Sequence, residues 1–292
     1  MHALTIGAAT VTRIEETYEP NFAAATFFPA WQPEALERDR DWLVPDHYDA
    51  ASGFLKLSIH SWLIRLDGRN ILIDTCVGNH KERPARPKWH RMETHYLQRL
   101  SDAGVRPDEI DLVMCTHLHV DHVGWNTRLD NGRWVPTFPK ARYVFSKADF
   151  DYYANLDRDP EKGPANLGSF RDSVMPVMDA GLGEVVSGAH ILDEHLSIDP
   201  APGHTPGSVA VKLASKGRRC VFSGDILHHA IQLAHPEWNS FVCYDGASAR
   251  RSRRSLLEQC VGGGDLLMPA HFGAPFACHV EAKGEAFAPR FV

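Results

Sequence analysis

The chain carries no Cys-x-x-Cys pair, no apolar run long enough to cross a bilayer, no excess of positive charge and no low-complexity linker. Each absence removes a class of function. The six cysteines, Cys76, Cys115, Cys220, Cys243, Cys260 and Cys278, are dispersed, which argues against a disulfide framework or a cysteine-rich zinc module. Buried free thiols are expected. Apolar stretches such as Leu112 to Cys115 and Phe241 to Tyr244 fall far short of the ~20 residues of a membrane helix, so no membrane partner is expected. The opening segment, Met1 to Gly7, has no basic region followed by an apolar one, and the expected location is cytoplasmic. With 31 Lys and Arg against 37 Asp and Glu, the net charge of −6 has the wrong sign for holding nucleic acid by bulk electrostatics. A small-molecule substrate fits better.

What is present is core-forming sequence. Of 292 residues 43% are hydrophobic, which excludes disorder as the dominant state. Residues 54–66 alternate apolar and polar side chains, turn at Asp67-Gly68 and return through Asn70 to Asp74, as a β-hairpin does. Trp89, Met92, Tyr96, Leu97 and Leu100 recur at helical spacing before Gly104. A short strand is expected over Asp111 to Cys115, a helix from Ser146 through Tyr153 opened by a Ser146/Asp149 capping box, and another over Leu167 to Met175. Two strands, 208–213 and 219–223, flank a Lys216-Gly217 turn, and a helix over 247–260 leads through Gly262-Gly263-Gly264 to a strand at 266–269. Strands followed by helices thus occur twice. With no linker and chemistry-bearing residues in both halves, residues 1–292 are read as one domain. Residues 18–53, rich in aromatics such as Phe22, Phe27, Phe28, Trp31 and Trp42, form a flap that covers a site or makes a dimer contact.

The 17 histidines are the main clue, because of where they fall. Thr116-His117-Leu118-His119-Val120-Asp121-His122 follows the expected strand directly and places His117, His119, Asp121 and His122 within six residues. Imidazole and carboxylate suit Zn²⁺ and other borderline cations. Side chains two apart in extended backbone point the same way, so His117 and His119 can grip one ion, while Asp121 and His122, past the turn, face a second. Single donors at other strand ends add to them: His204 in Pro-Gly-His-Thr-Pro-Gly, Asp225 in Phe-Ser-Gly-Asp and His271 in Met-Pro-Ala-His. Strand tips that each deliver one donor build a rigid site from residues distant in sequence.

Asp74, the His117–His122 cluster, His204, Asp225 and His271, in that order, resemble the motifs of the metallo-β-lactamase superfamily. The resemblance implies a mixed α and β fold, a four-layer αββα sandwich of two similar halves. It implies that His117, His119 and His204 hold one ion, that Asp121, His122 and His271 hold the other, that Asp225 bridges them, and that Asp74 supports the ligands from behind. Two divalent cations are expected, Zn first, with Fe, Mn or Co as alternatives. Such a pair retains a formal charge of about +1 after Asp121, Asp225 and a bridging hydroxide, and so favours a developing oxyanion. Hydrolysis by that hydroxide is the implied reaction, with Asp121 or Asp225 passing a proton to the leaving oxygen.

Asp225 stands where true β-lactamases commonly carry Cys, and His119 where flavodiiron proteins carry Glu. The ending around His271, Phe272, Gly273 and His279, with Gly224-Asp225-Ile-Leu before it, resembles the branch of N-acyl-homoserine lactonases and methyl parathion hydrolase, which also tends to form homodimers. A lactonase or carboxylesterase is the leading expectation. A glyoxalase II-like thioesterase and an iron-dependent persulfide or oxygen redox enzyme are the alternatives. Bland readings compete at several positions. Trp125 lines the pocket or packs in the core, His228 and His229 line it or lie on the surface, and His80 supports the site or does not. The run Arg250, Arg251, Arg253, Arg254 is a solvated helix face, or an RNA contact.

Overall fold

The computed structural model describes residues 3–159, 161 and 164–292. The chain forms two compact units, Met1–Thr17 with Ile59–His190, and Tyr18–Ser58 with Ile191–Val292.

In the first unit the expected hairpin is present as strands Phe54–Leu66, which begins before the unit boundary, and Arg69–Ile73, turned at Asp67 and Gly68. Arg69–Ile73 then pairs in parallel with Leu112–Met114, which pairs in parallel with Arg142–Ser146 and through it with Gly183–Val186. Leu112, Val113 and Met114 are all buried, which explains a continuous apolar run where alternation is absent. The helices Tyr96–Asp102, Lys147–Asp157 and Met175–Asp179 contribute Tyr96, Leu100, Tyr153 and Val177 to one core with the strands.

Two helices differ from expectation for local reasons. The periodic stretch from Trp89 becomes α-helical only at Tyr96, because the residues between are tied back to the preceding loop, with Arg91 at φ 51°: His80 N–H donates to Met92 O, Arg91 N–H to Lys81 O and Thr94 N–H to Asn79 Oδ1. The segment expected as one helix over 167–175 is a 3₁₀ turn with Asn166 and Leu167 at φ 52° and 57°, then a π-helical turn, Phe170–Val174. There the Asp172 carbonyl accepts from Lys81 Nζ at 3.1 Å and from Thr127 Oγ1, which diverts it from the regular ladder.

In the second unit Leu196–Pro200, Val209–Ser215, Arg218–Gly224, Leu266–Pro269, Cys278–Lys283 and Ala286–Phe291 follow one another across a sheet. Arg218–Gly224 and Leu266–Pro269 run parallel, with a register shift between Phe222 and Gly224. The helix Gly246–Gly263 is capped by Asp245, whose carboxylate accepts from Ala247 N–H, and ends at Gly264 in the left-handed region. Its buried face, Ala249, Arg253, Leu256, Leu257 and Cys260, packs on this sheet's core. The aromatics of the flap build a second core with Leu55, Leu57, Ile231 and Trp238, in which Trp31 stacks on Tyr48 with ring centroids 6.1 Å apart. Among the described residues no helix is long and apolar enough to cross a membrane.

Candidate metal centre

Each unit carries a cluster of donors at the carboxyl ends of its parallel strands. In the first, the register that sets Ile73 beside Met114 brings Asp74 alongside the loop after Leu112–Met114. Asp74, itself at φ 60°, accepts from Thr116 N–H at 2.7 Å, from Thr116 Oγ1 at 2.8 Å and from His122 Nδ1 at 2.9 Å. A carboxylate on Nδ1 fixes the tautomer and leaves Nε2 of His122 with its lone pair outward, the arrangement of a metal-ligating histidine. His117 lies against His122 with ring centroids 3.9 Å apart and against His119 at 4.8 Å, and Asp121 Oδ1 is 3.9 Å from His122 Nε2. The His117 ring thus lies against both other imidazoles, and Asp121 lies beside His122.

Two more side chains shape this loop. Asp149 is fully buried and accepts from Leu118 N–H at 3.0 Å, so it clamps the backbone between His117 and His119 instead of closing the expected capping box; Ser146 makes no capping bond. Leu118 O accepts from Asn166. Below the short helix Val120–Val123, Gly124 N–H donates to Cys76 O and Trp125 N–H to Thr75 O. The approach is so close that a Cβ on Gly124 would sit 1.8 Å from Val77 O. Glu16, 3% exposed, accepts from Val77 N–H, Gly78 N–H and the Trp125 indole. Burial pushes its carboxyl up to about 7, against the pull of those three donors. Trp125 therefore belongs to the core, stacked on Tyr96 at 5.2 Å. His80 is half-exposed and faces Glu93, so it does not support the cluster.

In the second unit Arg218–Gly224 and Leu266–Pro269 deliver Asp225 and His271 from adjacent parallel strands, and the register shift just before Asp225 re-aims that carboxylate. Three imidazoles converge on it. His271 Nε2 is 3.0 Å from Oδ1, while His204 Nε2 and His228 Nε2 are 3.2 Å and 3.3 Å from Oδ2. His271 is oriented by Ser58 O, 2.8 Å from its Nδ1. The His204 loop docks on the long helix at Gly203, whose φ of 135° and contact with Ala249 leave no room for a Cβ. Burial works against charging His204, but the Asp225 carboxylate outweighs it and lifts the imidazole to about 9.

His228 and His229 are buried, not on the surface. His229 donates from Nε2 to His47 O, and His228 meets Phe27 of the flap edge-on at 5.5 Å. Arg253 departs from the expected solvated face. It is fully buried and donates to the carbonyls of Ile226, Pro236 and Trp238, whereas Arg250, Arg251 and Arg254 are exposed. Its spacing from Ala249 and Leu256 carried the signal. Glu16, Asp149 and Cys243 escaped the sequence reading because their roles come from partners far along the chain. Cys243 Sγ lies 3.9 Å from His204 Nδ1; burial opposes its ionisation, yet His204 draws the thiol below its ordinary range.

The family description "Metallo-beta-lactamase superfamily" matches residues 56–271. N-acyl homoserine lactonase AiiB of Agrobacterium fabrum (strain C58) is 28% identical over 118 residues, which is 37% of this chain and 40% of that relative's length. Among solved structures, AidC, a dizinc quorum-quenching lactonase in complex with a product, is similar over 100% of this chain and 97% of its own, at 20% identity and a TM-score of 0.79. The hydrolase AbOPH of the β-lactamase superfamily is similar over the same shares, at 21% identity and a TM-score of 0.82. The fold they share with this protein is the mixed α and β fold that the motifs implied. On the match of 56–271, which contains every motif from Asp74 to His271, the chain belongs to the metallo-β-lactamase superfamily.

Proposed function

We propose that the protein is a dinuclear metal-dependent hydrolase of lactones or carboxylic esters, with His117, His119 and His204 on one cation, Asp121, His122 and His271 on the other, and Asp225 shared. The observation that carries this reading is the state of the donors: Asp74 holds His122 by Nδ1, Ser58 O holds His271 by Nδ1, and Asp225 collects the Nε2 atoms of His204 and His271. Ring nitrogens fixed on one side and offered on the other are what a borderline cation such as Zn²⁺ takes.

Bound there, divalent cations lower the pKa of water towards ~7 and polarise the scissile carbonyl. The chain supplies the rest. Asp121 or Asp225 moves a proton to the leaving oxygen. Asp149 and Asn166 hold the loop that carries His117 and His119, so the donors need little reorganisation. Phe27 lies 5.0 Å from Phe22 and 5.9 Å from Phe241 between ring centroids, and this partly exposed aromatic wall beside His228 suits an apolar acyl or aryl arm. The lactonase names of AiiB and AidC agree with the substrate class.

The test is a panel of lactones, aryl esters, thioesters and phosphotriesters with metal-replete protein. Turnover of lactones or carboxylic esters is expected. Thioester hydrolysis alone moves the assignment to the glyoxalase II-like alternative, and absence of all ester and lactone turnover contradicts the proposal.

A further inference from the structure

Asp225 is approached by one edge of the His204 ring; the other edge faces Cys243. His204 Nε2 lies 3.2 Å from Asp225, while Nδ1 lies 3.9 Å from Cys243 Sγ. One donor atom from each of His204, His228 and Cys243 falls within 4.8 Å of the other two. Ser240 Oγ joins them, 3.4 Å from Cys243 Sγ and 3.3 Å from His228 Nε2. His228 is 2% exposed, and the nitrogen it turns towards this set is Nε2, 3.3 Å from Ser240 Oγ. Cys243 is half-buried, on the turn that enters the helix Gly246–Gly263, so an ion can reach it from solvent.

We propose that His204, His228 and Cys243 form a further cation site beside the paired set, sharing the His204 ring with it and selective for soft and borderline ions such as Zn²⁺, Co²⁺, Cd²⁺ or Cu⁺. A thiolate with two imidazoles suits these ions and disfavours Mg²⁺, Ca²⁺ and Mn²⁺, which seek oxygen. The ion takes the thiol sulfur as thiolate and releases its proton to solvent, together with the Nδ1 proton of His204 where that nitrogen carries one. Three protein donors and an open position make the site weaker than the paired set, so it fills when the ion is in excess.

Cobalt(II) is the probe, because thiolate ligation gives a charge-transfer absorption that imidazole and carboxylate ligation do not. Full-length protein stripped of metal is titrated with Co²⁺ and compared with Cys243→Ser and His228→Gln. Wild type is expected to show the thiolate band and to bind one equivalent more than either variant at saturation, with the band lost in Cys243→Ser. This difference does not depend on how many ions the paired set holds, so failure of the hydrolase assignment and failure of this site are separable. Equal stoichiometry in all three proteins overturns the site. So does a wild-type spectrum without the band, or a band without the extra equivalent, which places Cys243 among the paired ligands instead.

Discussion

Asp74 accepts three hydrogen bonds, and the one from His122 governs chemistry. In Asp74→Asn the amide presents N–H to Nδ1, which drives the His122 proton to Nε2 and blocks the nitrogen meant for the ion. Metal affinity is expected to fall 10–100-fold, measured by competition with a chromophoric chelator; an unchanged affinity removes Asp74 from the design. Asp225→Asn is expected to weaken metal retention and lower turnover by at least about tenfold, the low end for a lost metal-site partner. Full metal content at the wild-type rate would refute its shared role. Glu16→Gln turns an amide N–H₂ towards donors that need acceptors, and about 1–3 kcal/mol of stability should be lost, read from denaturant midpoints. At this scale the sequence revealed the dense His117–His122 cluster and the single donors at strand ends, because spacing alone brings them together. Glu16, Asp149 and Cys243 were hidden: their partners, Trp125, Leu118 and His204, lie 109, 31 and 39 residues away.

Among the elements, the flap connection is expected to be sensitive to acid. His47 and His229 are fully buried, His47 Nδ1 accepts from Gly273 N–H, and His229 Nε2–H donates to His47 O. Burial holds His229 down to about 4 and His47 well below its ordinary value. The neutral imidazoles are the folded form, so their stabilisation is complete above the unfolded value of 6.5 and is lost as pH falls through that value towards 4. For His229 the loss approaches about 3 kcal/mol. Thermal unfolding of metal-free protein should show a shallower decline between pH 6.5 and 4 in His229→Gln than in wild type; parallel curves contradict the assignment. Backbone contact is the other element-scale constraint. Gly124→Ala forces a Cβ into Val77 O, and a cost on the order of 4 kcal/mol is expected. At Gly217, a turn with φ 73° and open space, the same change should cost about 1 kcal/mol. Equal midpoint shifts would show that the backbone contact at Gly124 is not what matters.

Across the whole molecule, strands were more legible than helices. The hairpin over 54–74 and the strands at 209–215, 218–224 and 266–269 follow from alternation, turn glycines and short apolar runs. The helices after Trp89 and Leu167 were displaced because contacts from Asn79, Lys81 and Thr127 overrule local periodicity. Arg253 shows the converse: a charge run reads as a solvated face until helical register sets one arginine among Ala249, Leu256 and Cys260. Family membership gives the fold and the order of the donors; the count and identity of the ions are the claim on which the chemistry rests. The most direct measurement is elemental analysis of desalted protein purified without added metal. The account predicts close to two zinc-like ions per chain. One iron per chain, in protein that hydrolyses neither lactone nor ester, would contradict it and strip Asp121, His122 and His271 of their roles.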